Sequence, residues 1–195
     1  MCSSDLAADA QLASQQPPTT AEELKALLDK TVALRRKHFD ESTARALFGA
    51  EEEQTRLDMA TFLQLKNDFD GGRKQLLILW DQRDKLPRPL QAEVLFWLGE
   101  GEHSQRNYDA ALDYYLRLAF QYPQEPMWPT VALYRAAMIY EIKGKYETAR
   151  KFLIQVMNTA ERKEEREAAK NRLNALDAKA GKPSTKDGAA PVYPF

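Results

Sequence analysis

The sequence predicts an all-α fold, a short solenoid of antiparallel helix pairs closed by a C-terminal capping helix. Three observations lead there. Apolar residues recur at three- and four-residue steps along most of the chain, the period of a helix with one buried face. The stretch from Leu90 to Ala160 says the same thing twice: Leu95, Leu98, Gly99, Tyr108, Ala111, Tyr115 and Leu118 return 38 positions later as Leu133, Ala136, Ala137, Tyr146, Ala149, Leu153 and Val156. Segment 162–178 is charged over most of its surface but keeps one apolar stripe, as the last helix of a stack requires.

Residues 1–19 hold few large apolar side chains and close on Pro17-Pro18. Such a segment buries too little to offset its ordering entropy, so a disordered tether is expected. Thr20 with Glu23 is a capping box. The helix it opens carries Leu24, Leu27, Leu28, Val32 and Leu34 to about Phe39; its seam fades too soon for a coiled coil. Glu41 to Phe48 reads as a second helix. Gly49 and the acids Glu51, Glu52 and Glu53 suggest a turn and the start of a third, since acids favour helix N-termini. Leu57, Ala60, Phe62, Leu65 and Phe69 make that helix, Gly71-Gly72 interrupts it, and Arg73 to Lys85 forms its partner. Moved by the same 38 positions, Leu57, Ala60, Leu77 and Trp80 fall on Leu95, Leu98, Tyr115 and Leu118, although Arg73 falls on Ala111. A degenerate third repeat is expected.

The two clear repeats occupy 91–123 and 129–161. Their helices are read as Gln91–Gln105 with Tyr108–Gln121, and Thr130–Lys143 with Tyr146–Thr159. Gly99 and Ala137, and Ala111 and Ala149, are small where helix axes must approach. Gly144 suits a left-handed helix end. Pro123, Pro126 and Pro129 break the chain between the repeats, and Thr130 opens the next helix. The cap, 162–178, presents Ala168, Ala169, Leu173 and Leu176. Gly181, Pro183, Gly188, Pro191 and Pro194 then mark a disordered tail over 179–195. Its aromatic end, Val192-Tyr193-Pro194-Phe195, is either a short docking motif or unstructured chain.

The pattern of a bulky residue, Leu-Gly, Tyr, then Ala-x3-aromatic and Pro resembles the tetratricopeptide repeat (TPR). The resemblance covers somewhat over a third of the chain. Glu102 replaces the usual aromatic, Arg106 the usual glycine and Glu161 the terminal proline, and the loop Gln124–Pro129 lengthens a period that is usually about 34 residues. The longer loop is similar to divergent modules of bacterial envelope proteins. The resemblance implies a right-handed stack with a concave face for a protein or peptide partner, and no catalysis. In such folds the first helix of each pair lines the groove. That places Glu93, Phe96, Glu100 and His103, then Val131, Tyr134, Met138 and Glu141, on its wall. Relatives that bind chaperones grip a terminal carboxylate with Lys, Asn and Arg. Here Phe96 and Tyr134 stand at the lysine positions, Glu100 and Met138 at the asparagine positions, and only Arg135 is a nearby cation. Two acids would repel a carboxylate. A scaffold is therefore expected ahead of a cytoplasmic co-chaperone or secretion chaperone, or an enzyme accessory with a cryptic site. The groove is an aromatic and thioether strip suited to an apolar segment or partner helix; alternatively Phe96, Tyr134 and Met138 pack against the protein itself.

Composition narrows the classes. Lys and Arg total 28 against 29 Asp and Glu, so no basic excess exists to hold nucleic acid. Arg35-Arg36-Lys37-His38 is the one compact basic run and reads as a solvated helix face. No apolar stretch approaches the roughly 18 residues of a membrane span. His38 and His103 lack metal-ligand spacing, and no cofactor or metal motif is present. His103 beside Glu102 and Ser104 is no triad, because adjacent helical residues point apart. Gly71-Gly72 lacks the rest of a phosphate loop. Cys2 is the single cysteine. Followed by Ser3, Ser4 and Asp5, it resembles the lipidated start of a mature bacterial lipoprotein, which implies attachment at the periplasmic face of the outer membrane. Met1 departs from that pattern, and no signal peptide is visible; the alternative is a chance N-terminal cysteine in a cytoplasmic protein.

Overall fold

The structure, a computed structural model, describes residues 20–38 and 41–180, and all regular structure among them is helical. The helix α1 (Ala21–His38) opens on the expected capping box: Thr20 accepts from the Glu23 amide at 3.1 Å and Glu23 accepts from the Thr20 amide at 3.2 Å. Next come α2 (Glu41–Leu65) and α3 (Phe69–Asp81), with a single 3-10 turn over Arg83–Lys85. The clear repeats supply α4 (Arg88–Ser104), α5 (Tyr108–Gln121), α6 (Trp128–Ile142) and α7 (Tyr146–Thr159). The last helix, α8 (Lys163–Ala180), runs two residues beyond the expected end of the cap. The expected tether with Cys2, and the tail past Ala180, lie outside the described residues, as does the His38 side chain.

Four expectations are corrected. The turn at Gly49 does not exist: α2 is continuous for 25 residues, because one glycine costs a helix only about 1 kcal/mol among good helix formers. The break expected at Gly71-Gly72 falls earlier, at Lys66–Asp68. Asn67 supplies the left-handed residue with φ 63°, and Asp68 caps α3 by accepting from the Gly71 amide at 2.9 Å. Helix α6 begins at Trp128, not Thr130; Pro129 sits in its first turn, where no amide donor is needed. Finally, Ala168 is exposed, and the cap is held by Ala169, Leu173 and Leu176.

The turns inside the three pairs are alike. Asp68 N–H donates to Leu63 O at 2.9 Å, Asn107 N–H to Glu102 O at 2.9 Å, and Lys145 N–H to Tyr140 O at 2.8 Å. In each, the preceding residue is left-handed and closes a second bond: Asn67 to Gln64 O, Arg106 (φ 63°) to His103 O, and Gly144 (φ 71°) to Glu141 O. This is the Schellman end of a helix, made three times. Arg106 follows Asn67 by 39 positions and Gly144 follows Arg106 by 38. The first unit is therefore one residue out of the 38-position register. With that residue restored, Gly72 replaces Arg73 opposite Ala111 and Ala149, and all three are buried. Ala60, Gly99 and Ala137 likewise become equivalent. A Cβ on Gly99 would stand 2.6 Å from the Tyr115 ring, and one on Gly72 would stand 2.9 Å from Ala60 O. The small residues are required by contact.

Each helix packs on its neighbours in sequence. Helices α2, α4, α6 and α8 also touch one another in series and so form one layer. The largest core runs from α4 to α8 around Tyr115, Leu118, Leu133, Ile139 and Leu153. A second joins Leu57, Ala60, Leu76 and Leu79 to Val94 and Leu98. A third, of Leu28, Met59 and Leu63 with Val32 against it, binds α1 to α2.

Candidate interaction face on the first helices

The shared turns give α2, α4 and α6 equivalent positions, and these sort into rows. Leu57, Phe96 and Tyr134 form one row: the first two are buried and Tyr134 is half-buried. Next to it, Thr61, Glu100 and Met138 are all half-buried. Asp58, Trp97 and Arg135 face further out, with Asp58 exposed. At the turn end stand Leu65, Ser104 and Ile142; Leu65 is 79% exposed and Ile142 54%, so Leu65 is not the core residue its spacing suggested.

The expected groove residues divide accordingly. Phe96 belongs to the core: its ring lies 4.8 Å from Trp128 and edge-on to Trp97 at 5.5 Å. Tyr134 and Met138 reach the surface of the layer. His103 lies beside the Tyr108 ring at 5.8 Å. The described residues contain no group of three His, Cys, Asp or Glu able to hold a metal ion, and no described helix is long and apolar enough to cross a membrane.

Glu100 is the junction of three helices. Tyr115 from α5 donates its hydroxyl at 2.5 Å and Arg135 from α6 donates through Nη2 at 3.0 Å. The Arg135 Nε is a further 2.8 Å charge contact, set off the hydrogen-bonding axis. Burial, then the Glu100 charge, push the Tyr115 phenol far above its ordinary value, so it remains a donor. Arg135 is thus committed to Glu100 and partly buried. Glu141 is also engaged: Arg172 and Lys179 of α8 reach it at 2.9 and 3.4 Å. The buried Glu102 accepts from Asn107 at 2.9 Å and pairs with Arg73 at 3.1 Å.

Glu93 differs. It accepts from the Trp97 indole at 3.4 Å, and its carboxyl is raised above the usual range by burial and then by the charge of Asp58 across the α2–α4 contact. Asp58 accepts from Gln54 at 2.9 Å. Among the described residues neither carboxylate forms an ion pair. Sequence reading missed Asp58 because the first unit was read one residue out, and Trp97 because the adjacent Phe96 fitted the pattern. The signal for Trp97 was its place four residues after Glu93, on the half-polar side of α4.

No protein-family model matches this chain, and no curated protein matches it either.

Proposed function

We propose that the chain is a non-catalytic interaction module of the tetratricopeptide type, a right-handed stack of helix pairs that takes a protein or peptide partner on the face of α2, α4 and α6. One observation carries this: the same left-handed turn, with the same small residues at the helix crossings, recurs at 39 and then 38 positions. Stacks of such units present elongated surfaces, and partner binding is what such surfaces serve. Arg135, the cation a carboxylate clamp would need, is held by Glu100, which speaks against a co-chaperone of the clamp type. The test is affinity capture from the native source with wild type and with Tyr134→Ala/Met138→Ala, at matched helicity and melting temperature. A partner captured by the wild type and lost by the variant is expected. Equal capture by both overturns the assignment of this face.

A further inference from the structure

The equivalent positions of the first helices differ in chemistry. Where α4 places the polar Glu93, Glu100 and Ser104, α6 places Val131, Met138 and Ile142. With Tyr134 between them, these form one stripe along α6 at steps of three and four residues. Val131, Tyr134 and Met138 are half-buried and Ile142 is 54% exposed, so the stripe keeps apolar surface toward solvent. Helix α8 lies along α6 in the same direction. Thr130 at the start of α6 meets Glu165 at 3.3 Å, and Glu141 near its end meets Arg172 at 2.9 Å and Lys179 at 3.4 Å. The chain that follows Ala180 therefore starts at the Ile142 end of the stripe. It continues over 181–190 without an aromatic or branched apolar side chain, and then reads Pro191-Val192-Tyr193-Pro194-Phe195.

Resting on the reading of this face as an interaction surface, we infer that its α6 stripe is the docking site of the chain's own segment 191–195, so that a partner of the face must displace it. The reach suffices. Residues 181–190 span up to roughly 33 Å when extended, whereas the stripe from Val131 to Ile142 is about 16 Å long. The chemistry matches as well. A methionine sulfur favours the edge of an aromatic ring, and Met138 offers one to Tyr193 or Phe195 where α4 has the carboxylate of Glu100. Proline biases the residue before it toward extended backbone. Ala190 and Tyr193 are thereby disposed to lie along a helix surface, and less entropy is lost on docking. So short a segment would bind weakly as a free peptide. Tethered, it is present at an effective concentration on the order of millimolar, enough to occupy the stripe and still yield to a partner of higher affinity.

The test uses the full chain with isotope-labelled methionine methyl groups, as wild type and as Tyr193→Ala/Phe195→Ala. An aromatic ring seated on a methyl group moves its NMR signal. The Met138 signal is therefore expected to differ between the two proteins, while that of Met59, buried between α1 and α2, stays in place. A second readout follows the anisotropy of a fluorescein-labelled peptide with the sequence of residues 188–195. It should bind the Tyr193→Ala/Phe195→Ala chain about tenfold more tightly than wild type, whose own segment competes for the site. Adding Met138→Ala to that variant should remove the gain. An unmoved Met138 signal, or equal peptide affinity for the two chains, overturns the inference. A Met138 shift that grows with protein concentration puts the segment on a second copy and overturns it too. In each case the interaction face still stands if partner capture depends on Tyr134 and Met138. If Met138 shifts while capture is independent of both residues, the docked segment stands and the partner reading fails.

Discussion

The Tyr115 hydroxyl donates a 2.5 Å hydrogen bond to Glu100 from a ring that lies in the space left by the missing side chain of Gly99. Three helices meet through it, since Glu100 also holds Arg135 of α6. Tyr115→Phe keeps the ring and deletes the donor. A hydrogen bond to a charged group contributes about 1.5–3 kcal/mol, and a loss of that size is expected in urea denaturation. Gly99→Ala attacks the same contact sterically and should cost about 1–3 kcal/mol. If Tyr115→Phe is as stable as wild type, the bond contributes nothing.

Arg106 occupies a left-handed position with φ 63°, where the equivalent residue of the next pair is Gly144. Left-handed backbone costs a residue with a Cβ about 1–2 kcal/mol, part of which glycine returns as unfolded-state entropy. Arg106→Gly should therefore stabilise by up to about 1 kcal/mol, and Gly144→Ala should destabilise by a similar amount. Opposite shifts in melting temperature verify the turn; shifts of the same sign refute it.

The closeness of the α2–α3 crossing is tested at Gly72. Its equivalents Ala111 and Ala149 carry a Cβ comfortably, but a Cβ at Gly72 meets Ala60 O at 2.9 Å. Gly72→Ala should destabilise by about 1–3 kcal/mol, whereas Arg73→Ala acts only through the pair with Glu102. A neutral Gly72→Ala would show that α2 and α3 pack less closely than described.

Glu93 gives a pH signature. Its carboxyl is raised from the ordinary 4.5 by burial and then by Asp58, so the folded chain holds that proton more tightly than the unfolded chain. The contribution to stability is present below 4.5 and is lost as pH rises through the folded value. Glu93→Gln should therefore exceed wild type in stability at neutral pH, and the difference should vanish as pH falls below about 4. A difference independent of pH would assign the effect to something other than ionisation.

The sequence was most legible where pattern and packing agree. Tyr108–Gln121 and Tyr146–Thr159 appear with the expected ends, because a bulky first residue, a small residue three positions later and a clear break act together there. It was least legible in α2 and α3. Gly49, Gly71 and Gly72 all looked like turn residues, yet the turn was made by Asn67, whose short polar side chain tolerates left-handed backbone. That error moved the register by one residue and hid Asp58. Of the expected face, Tyr134 and Met138 lie at the surface of the layer, while Phe96 is core. Periodicity marks the buried side of a helix more sharply than its rim, where Trp97 and Tyr134 both sit.

The division of the core into three clusters has a consequence for how the molecule comes apart. One of them, Leu28 with Met59, Leu63 and Val32 among the described side chains, joins α1 to α2. Among the described helices α1 has a sequence neighbour on one side alone, whereas α4 to α7 are packed on both sides and their amides exchange only when the large cluster gives way. Amide hydrogen exchange should therefore run as a gradient along the stack, fastest in α1. Such an opening would uncover Met59 and Leu63 on α2 while the cluster that runs from α4 to α8 stays closed.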